Sequence, residues 1–239
     1  MNRGKRKKLR AAESVGLIVM GGIFLFSAYK IGSYCWELYC SRHGTNEVQA
    51  ECVSSVEGEP AIKVDFGALQ KINSDIIAWI YCPDTQINYP VVQGKDNEYY
   101  LNHLLDGSYN ANGTLFMDYR CVPDDRNTII YGHNMRSGNM FGELVNYKRQ
   151  AFYNKHPVMY LFTPDASYKL HLFAGVVVDS ESLVYSAEPS EGGLTLWKDC
   201  STFQSNVTVL PEDKLVTLST CSYEYDNARY VVMATMEKL

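Results

Sequence analysis

The tightest restriction on how this chain can fold lies near its C-terminus, at residues 214–229, KLVTLSTCSYEYDNAR. Leu215, Val216 and Leu218, with the β-branched Thr217 and Thr220, favour an extended strand that stops at Cys221. Eight residues later Arg229 opens a second apolar strand, 230–236. Two such strands can pair as a hairpin. That sets a thiol at the end of one strand beside a guanidinium at the start of the next. A cysteine nucleophile needs a lowered pKa or a neighbouring base, so the value of this pair depends on what the remaining chain supplies.

Upstream, apolar runs broken by turn residues recur at short intervals. Residues 81–92 read as extended around a Pro83-Asp84 turn, with Ile87, Tyr89 and Val91 alternating. Further strands are expected at 114–119 and 127–131, separated by a turn at Pro123-Asp124-Asp125, and at 158–162 and 168–178 around Pro164-Asp165, with a short edge strand at 208–210. Helical spacing is expected over 65–80 (one helix, or two broken at Asn73-Ser74-Asp75), 96–105 capped by Asp96, 140–153 and 190–204. Seven or eight short strands with a few helices between them predict a closed or nearly closed β-barrel rather than alternating βαβ units.

The N-terminus has a different character. Residues 1–10 hold six cations and no acid, leaving 16 cations against 27 acids in the remaining chain. So acidic a body is a poor match for nucleic acid. The uncharged run 15–29 follows the basic segment, and Lys30, which can snorkel, precedes Tyr34, Trp36 and Tyr39, an arrangement that suits a membrane interface. Fifteen uncharged residues fall short of the ~20 needed to span a bilayer. A cleaved signal peptide and a buried helix are the competing readings. The lack of an A-x-A-like site argues against the first and the cationic flank against the second. The expected organisation is a cytoplasmic basic tail at 1–12, a transmembrane anchor at 13–36, a polar linker at 37–60 and one domain at 61–239, outside the cell by the positive-inside rule.

Seven cysteines (35, 40, 52, 82, 121, 200 and 221) show neither zinc-ligand spacing nor a disulfide framework. A strand cysteine is ordinarily a small buried hydrophobe. Cys221 stands apart because its strand ends there among Ser219, Thr220 and Ser222. Of the five histidines, His43 falls in the expected linker, His103 beside two leucines, His156 before Pro157 and His171 inside a strand. His133 closes the strand after Tyr131-Gly132 and opens a loop rich in glycine and asparagine, the kind of junction that carries catalytic groups. It is the candidate base. Arg229 is the candidate donor to an oxyanion.

TLSTC at 217–221 followed by Arg229, with YGH at 131–133, resembles the sortases, membrane-anchored cysteine transpeptidases of Gram-positive bacteria. The segments at 79–101, 113–120, 127–135 and 140–157, and the helical insertion at about 190–204, look like class B. The resemblance implies that Cys221 attacks a Thr–Gly or Thr–Asn bond in a C-terminal sorting signal of a surface protein. A peptidoglycan cross-bridge amine, free or on a lipid-linked precursor, then resolves the thioacyl-enzyme. It implies His133 as acid and base, Arg229 as oxyanion donor, and Asn97, Leu101, Tyr131 and Ser219 along the substrate groove, with no metal or cofactor. Leu101 as plain core and Asn97 as a helix cap are the bland alternatives. Ser222 follows the nucleophile where relatives can carry an acid, so acid assistance from that position is not supported. No aromatic lid precedes the barrel and no run of acids suggests calcium activation. Hydrolysis with water as acceptor, and a tethered binding domain with a structural Cys221, are the rival functions. Glu224 and Asp226, in the loop between Cys221 and Arg229, are where substrate preference could be tuned.

Overall fold

The computed structural model describes residues 3–122 and 125–239, with side chains from residue 13 onward. Pro123 and Asp124 of the expected turn, and the cationic side chains of the N-terminal tail, lie outside the described residues. The chain divides into two units, residues 1–42 and 43–239.

Helix α1 runs over Arg3–Cys52, and its stretch from Glu13 contains an apolar window long enough to cross a membrane, none of which is buried. The helix therefore continues well past the expected linker boundary at residue 37. Gly44, read as a linker signal, costs a helix only about 1 kcal/mol. Val48 and Cys52, one turn apart, are both buried against Ile62, Leu69, Ile76 and Trp79 and offset that cost. Beyond Cys52 come a two-stranded ribbon, β1 (Val53–Ser55) and β2 (Ile62–Val64), and helix α2 (Phe66–Ile72), whose first turn is capped by Asp65 accepting from the Ala68 amide at 3.0 Å.

Eight strands close a barrel: β3 (Ile76–Tyr81), β4 (Asn88–Val92), β5 (Leu115–Met117), β6 (Asn127–Tyr131), β7 (Val158–Phe162), β8 (Ser167–Asp179), β9 (Leu215–Cys221) and β10 (Ala228–Lys238). Around the barrel they lie in the order β10-β8-β7-β3-β4-β5-β6-β9, with β9 pairing back to β10. The β4–β5 and β6–β9 pairs are parallel and the others antiparallel. Ile80, Val91, Leu115, Ile130, Leu161, Leu172, Leu218 and Val232 belong to one apolar cluster. Burying a side chain of this size stabilises by about 1.5–3 kcal/mol.

Several elements differ from expectation. Residues 76–80, read as helical, form β3. Its residues IIAWIY are buried on both faces, because α2 and the end of α1 cover the outer one, and two-sided burial erases the alternation that marks a strand. The helix expected at 140–153 is a 3₁₀ turn (Leu144–Lys148) followed by α3 (Gln150–Lys155), interrupted where Arg149 turns extended. At 96–105 only a 3₁₀ turn forms, Tyr99–Leu101, with Glu98 and not Asp96 at its N-cap; Asp96, two residues earlier, accepts from the Glu98 and Tyr99 amides. Helix α4 is confined to Glu191–Asp199, behind its Ser190 cap. Residues 208–210 form no strand.

Candidate active site

Three neighbouring strand ends build the site. In the β9–β10 hairpin Arg229 lies directly opposite Cys221. In the parallel β6–β9 pair Tyr131 lies beside Ser219, so two residues further His133 comes level with Cys221. Paired residues share a face. Ile130, Leu218 and Val232 face the apolar cluster inside the barrel. Tyr131 and Ser219, and then His133, Cys221 and Arg229, therefore face the opposite side. They line a cleft of about 190 Å³ together with Asn97 and Leu101. All seven residues expected in the catalytic centre and substrate groove thus meet at one place, whereas Glu224 and Asp226 do not line it. The cleft is completed by Phe116, Gly132, Ser180, Tyr185 and Thr220.

The strand ends are fastened to one another. Gly132 N donates to Ser219 O at 3.0 Å, Thr220 Oγ1 to Gly132 O at 2.7 Å, and Asn134 Nδ2 to the carbonyl of Cys221 at 2.8 Å. His133 Nε2 lies 2.8 Å from Leu101 O. A carbonyl only accepts, so Nε2 carries the proton and Nδ1 is left to exchange one. Leu101 therefore meets the histidine through its backbone carbonyl. Its 3₁₀ turn is packed from behind by Gly113, in the left-handed region at φ +56°, where a Cβ would stand 2.5 Å from both the Tyr100 and Leu101 carbonyl oxygens.

One wall is held by Asp118, which is fully buried. It accepts two bonds from the Arg120 guanidinium, at 3.0 and 2.8 Å, and one from Tyr131 Oη at 3.1 Å. Burial alone would raise its pKa, but the Arg120 guanidinium and amide, with Asn97, outweigh it and hold the carboxyl below its ordinary value. Asn97 Oδ1 accepts from the Tyr119 amide at 3.0 Å, so Asn97 ties the 96–101 loop to the chain after β5 instead of capping a helix. Burial, and then Asp118, push the Tyr131 phenol up, so it stays a hydrogen-bond donor at neutral pH.

Sequence reasoning missed Tyr185, on a 3₁₀ turn (Leu183–Tyr185) between β8 and α4. Its hydroxyl is 2.8 Å from Ser219 Oγ, and burial pushes it up to about 12. Asn127 Nδ2 anchors that turn by donating to Val184 O and Ser186 O, while its Oδ1 accepts from Thr217. A buried asparagine opening an apolar strand was the available signal. The other histidines are engaged elsewhere. His43 Nε2 lies 3.1 Å from a Glu47 carboxylate oxygen, His103 stacks on Tyr99, His156 Nδ1 meets Pro83 O and His171 meets Glu237. Cys82 is a buried packing residue against the Tyr147 hydroxyl. Glu224 does not stand free in the loop: it pairs with Lys148.

Comparison with known proteins bears on the family and the fold. The Sortase domain family model matches residues 80–237. Sortase B of Listeria monocytogenes is 35% identical over 94% of this chain and 96% of its own length. Sortase B of Staphylococcus aureus is 33% identical over 74% and 77%. Among solved structures, sortase B from B. anthracis superposes with a TM-score of 0.71 at 36% identity, over 85% of this chain and 99% of that one. A Staphylococcus aureus sortase B–substrate complex superposes at 0.69 and 34% identity, over 73% and 85%. With the closed eight-stranded barrel, and with Cys221, His133 and Arg229 gathered at one cleft, the chain belongs to the sortase family, and within it to class B, enzymes of the cysteine transpeptidase type.

Proposed function

We propose that Cys221 is the nucleophile, His133 the acid and base, and Arg229 the oxyanion donor of a transpeptidase that joins surface proteins to the cell wall. The observation that carries this is the alignment of the three residues on one face of three adjacent strand ends. Cys221 gives its thiol proton to His133 Nδ1, and Sγ attacks the carbonyl carbon of a Thr–Gly or Thr–Asn bond in a C-terminal sorting signal. The carbon–nitrogen bond breaks, and the departing amine takes a proton from His133 Nδ1. An amine of a peptidoglycan cross-bridge, free or on a lipid-linked precursor, then attacks the thioacyl carbon, gives a proton to His133 and frees the thiolate. Arg229 already donates Nη1 to Ala228 O at 3.1 Å, which orients the guanidinium and leaves further N–H groups for the oxyanion. Tyr131, Ser219, Asn97 and Leu101 contact the bound signal.

The reading extends to location. The apolar stretch of α1 anchors the protein, the basic tail stays in the cytoplasm, and residues 61–239 act outside. The deciding experiment is peptide-library cleavage by the full chain in detergent, with and without added amine. Cleavage with diversion of the acyl group to the amine is expected. Release to water alone would make the enzyme a hydrolase, and undiminished cleavage by Cys221→Ala would end the assignment.

A further inference from the structure

Resting on that reading, we infer that Lys148 is a positioning residue for the nucleophile, acting through Ser222 and Glu224. Lys148 ends the 3₁₀ turn Leu144–Lys148, far from Cys221 in sequence. Its Nζ donates to Ser222 Oγ at 2.8 Å and to the Glu224 carboxylate, and Ser222 Oγ donates to the other oxygen of the same carboxylate. The ammonium also sits over the Tyr230 ring, 5.0 Å from its centroid. These contacts close a three-membered ring of charge-assisted bonds immediately after the nucleophile.

An exposed ion pair would carry little weight. The Glu224 end of this pair is 41% exposed, but the hydroxyl on which it closes is sheltered: Ser222 is 6% exposed. The Lys148 side chain is 29% exposed. Ser222 N also donates to Ala228 O at 2.9 Å, closing the loop just before Arg229. The segment that carries Lys148 is tied to the base as well, since Phe141 N donates to His133 O at 3.0 Å and Asn134 holds the Cys221 carbonyl. One stretch of chain, 133–148, thus holds Cys221 from both sides, at its own carbonyl and at the residue after it. The expected consequence is a thiol that keeps its relation to His133 and Arg229 before substrate arrives. Glu224 accordingly acts on the loop.

The test uses the full chain in detergent and compares Lys148→Met, Lys148→Arg, Ser222→Ala and the Lys148→Met/Ser222→Ala double variant. The two readouts are peptide turnover and the pH profile of iodoacetamide labelling at Cys221, followed by mass spectrometry of the Cys221 peptide. Lys148→Met should lower kcat by about 10- to 100-fold and shift the labelling profile, while KM moves less than about threefold. Lys148→Arg should recover most of the loss. Ser222→Ala should show a similar defect, and the double variant should lose little more than Lys148→Met, because both residues act through one network. An unchanged kcat and labelling profile in Lys148→Met, or fully additive losses, would overturn the inference. If Lys148→Met does not fold, Ser222→Ala decides, and wild-type behaviour there overturns the inference equally. Labelling needs no substrate, so a wild-type enzyme that cleaves no peptide would refute the transpeptidase reading while leaving this inference decidable.

Discussion

Gly132→Ala is the most informative single change, because it strains the site without removing any functional group. Gly132 lies between Tyr131 and His133, and a Cβ there would stand 2.2 Å from Leu115 Cδ2 and 2.7 Å from Phe141 Cδ2. Leu115 and Phe141 are both fully buried, so neither can swing into solvent. Carbon atoms sit comfortably at about 3.5–4.0 Å, so one partner or the strand end must move by more than about 1 Å. Overpacking of this kind costs about 1–3 kcal/mol, and each kcal/mol lowers Tm by about 2–4 °C in a protein of this size. The easiest relief is an outward shift of residues 131–133. That shift loosens Gly132 N→Ser219 O and Thr220 Oγ1→Gly132 O and carries His133 with it. A displacement of 1 Å at a proton-transfer group lowers turnover by about 100-fold. Thermal unfolding by circular dichroism and single-turnover acylation of a fluorogenic peptide measure the two effects. Adding Leu115→Val, which deletes the clashing Cδ2, should recover part of both losses. Wild-type Tm and turnover in Gly132→Ala would refute the claim that this close approach sets the histidine.

Arg229→Lys keeps the charge but loses the planar fork, and turnover should fall by about 100- to 1,000-fold with little change in Tm, read from acylation kinetics beside a melting curve. A Cys–His pair loses activity when the base is protonated and again when the acid is deprotonated. The rate should therefore be bell-shaped in pH, and a flat profile from about pH 5 to 10 would exclude the pair. Acid should weaken the barrel through Asp118 and Glu224. Hydrogen bonds from Lys148 and Ser222 bring the Glu224 carboxyl down to about 2 from 4.5, and Asp118 is likewise depressed below 3.8. A depressed carboxyl contributes stability that is fully present above its unfolded value and is lost as pH falls through its folded one. Chemical denaturation should thus show stability flat above about pH 5 and falling below it. Asp118→Asn should flatten that fall more than Glu224→Gln, because Glu224 is exposed and screened.

Local sequence carried most of the strands and the catalytic candidates. Residues 215–221 and 228–238 can do little except pair as strands, and the thiol and the arginine at their ends follow from that pairing. His133 was distinguishable because glycine and a polar loop surround it at the end of an apolar strand. Where burial came from elsewhere in the chain, local pattern misled. Residues 76–81 show no alternation because both faces are covered. Residues 41–52 read as a linker although Val48 and Cys52 gain a buried face only once the barrel exists. Tyr185 and the pairing of Lys148 with Glu224 were likewise hidden, since each depends on a partner tens of residues away.

By itself, then, the sequence determined a strand-rich barrel with an apolar N-terminal helix and a cysteine, a histidine and an arginine at strand ends, because side-chain shape and alternation act locally. Only the tertiary structure decided that these ends share one face of one cleft. That depends on register: a parallel β6–β9 pairing that brings His133 level with Cys221 and an antiparallel β9–β10 pairing that sets Arg229 opposite it. A shift of one residue in either would turn a side chain to the barrel's other face. Register is held by contacts such as Asn134 to Cys221 and Lys148 to Ser222, which join residues that no local pattern connects.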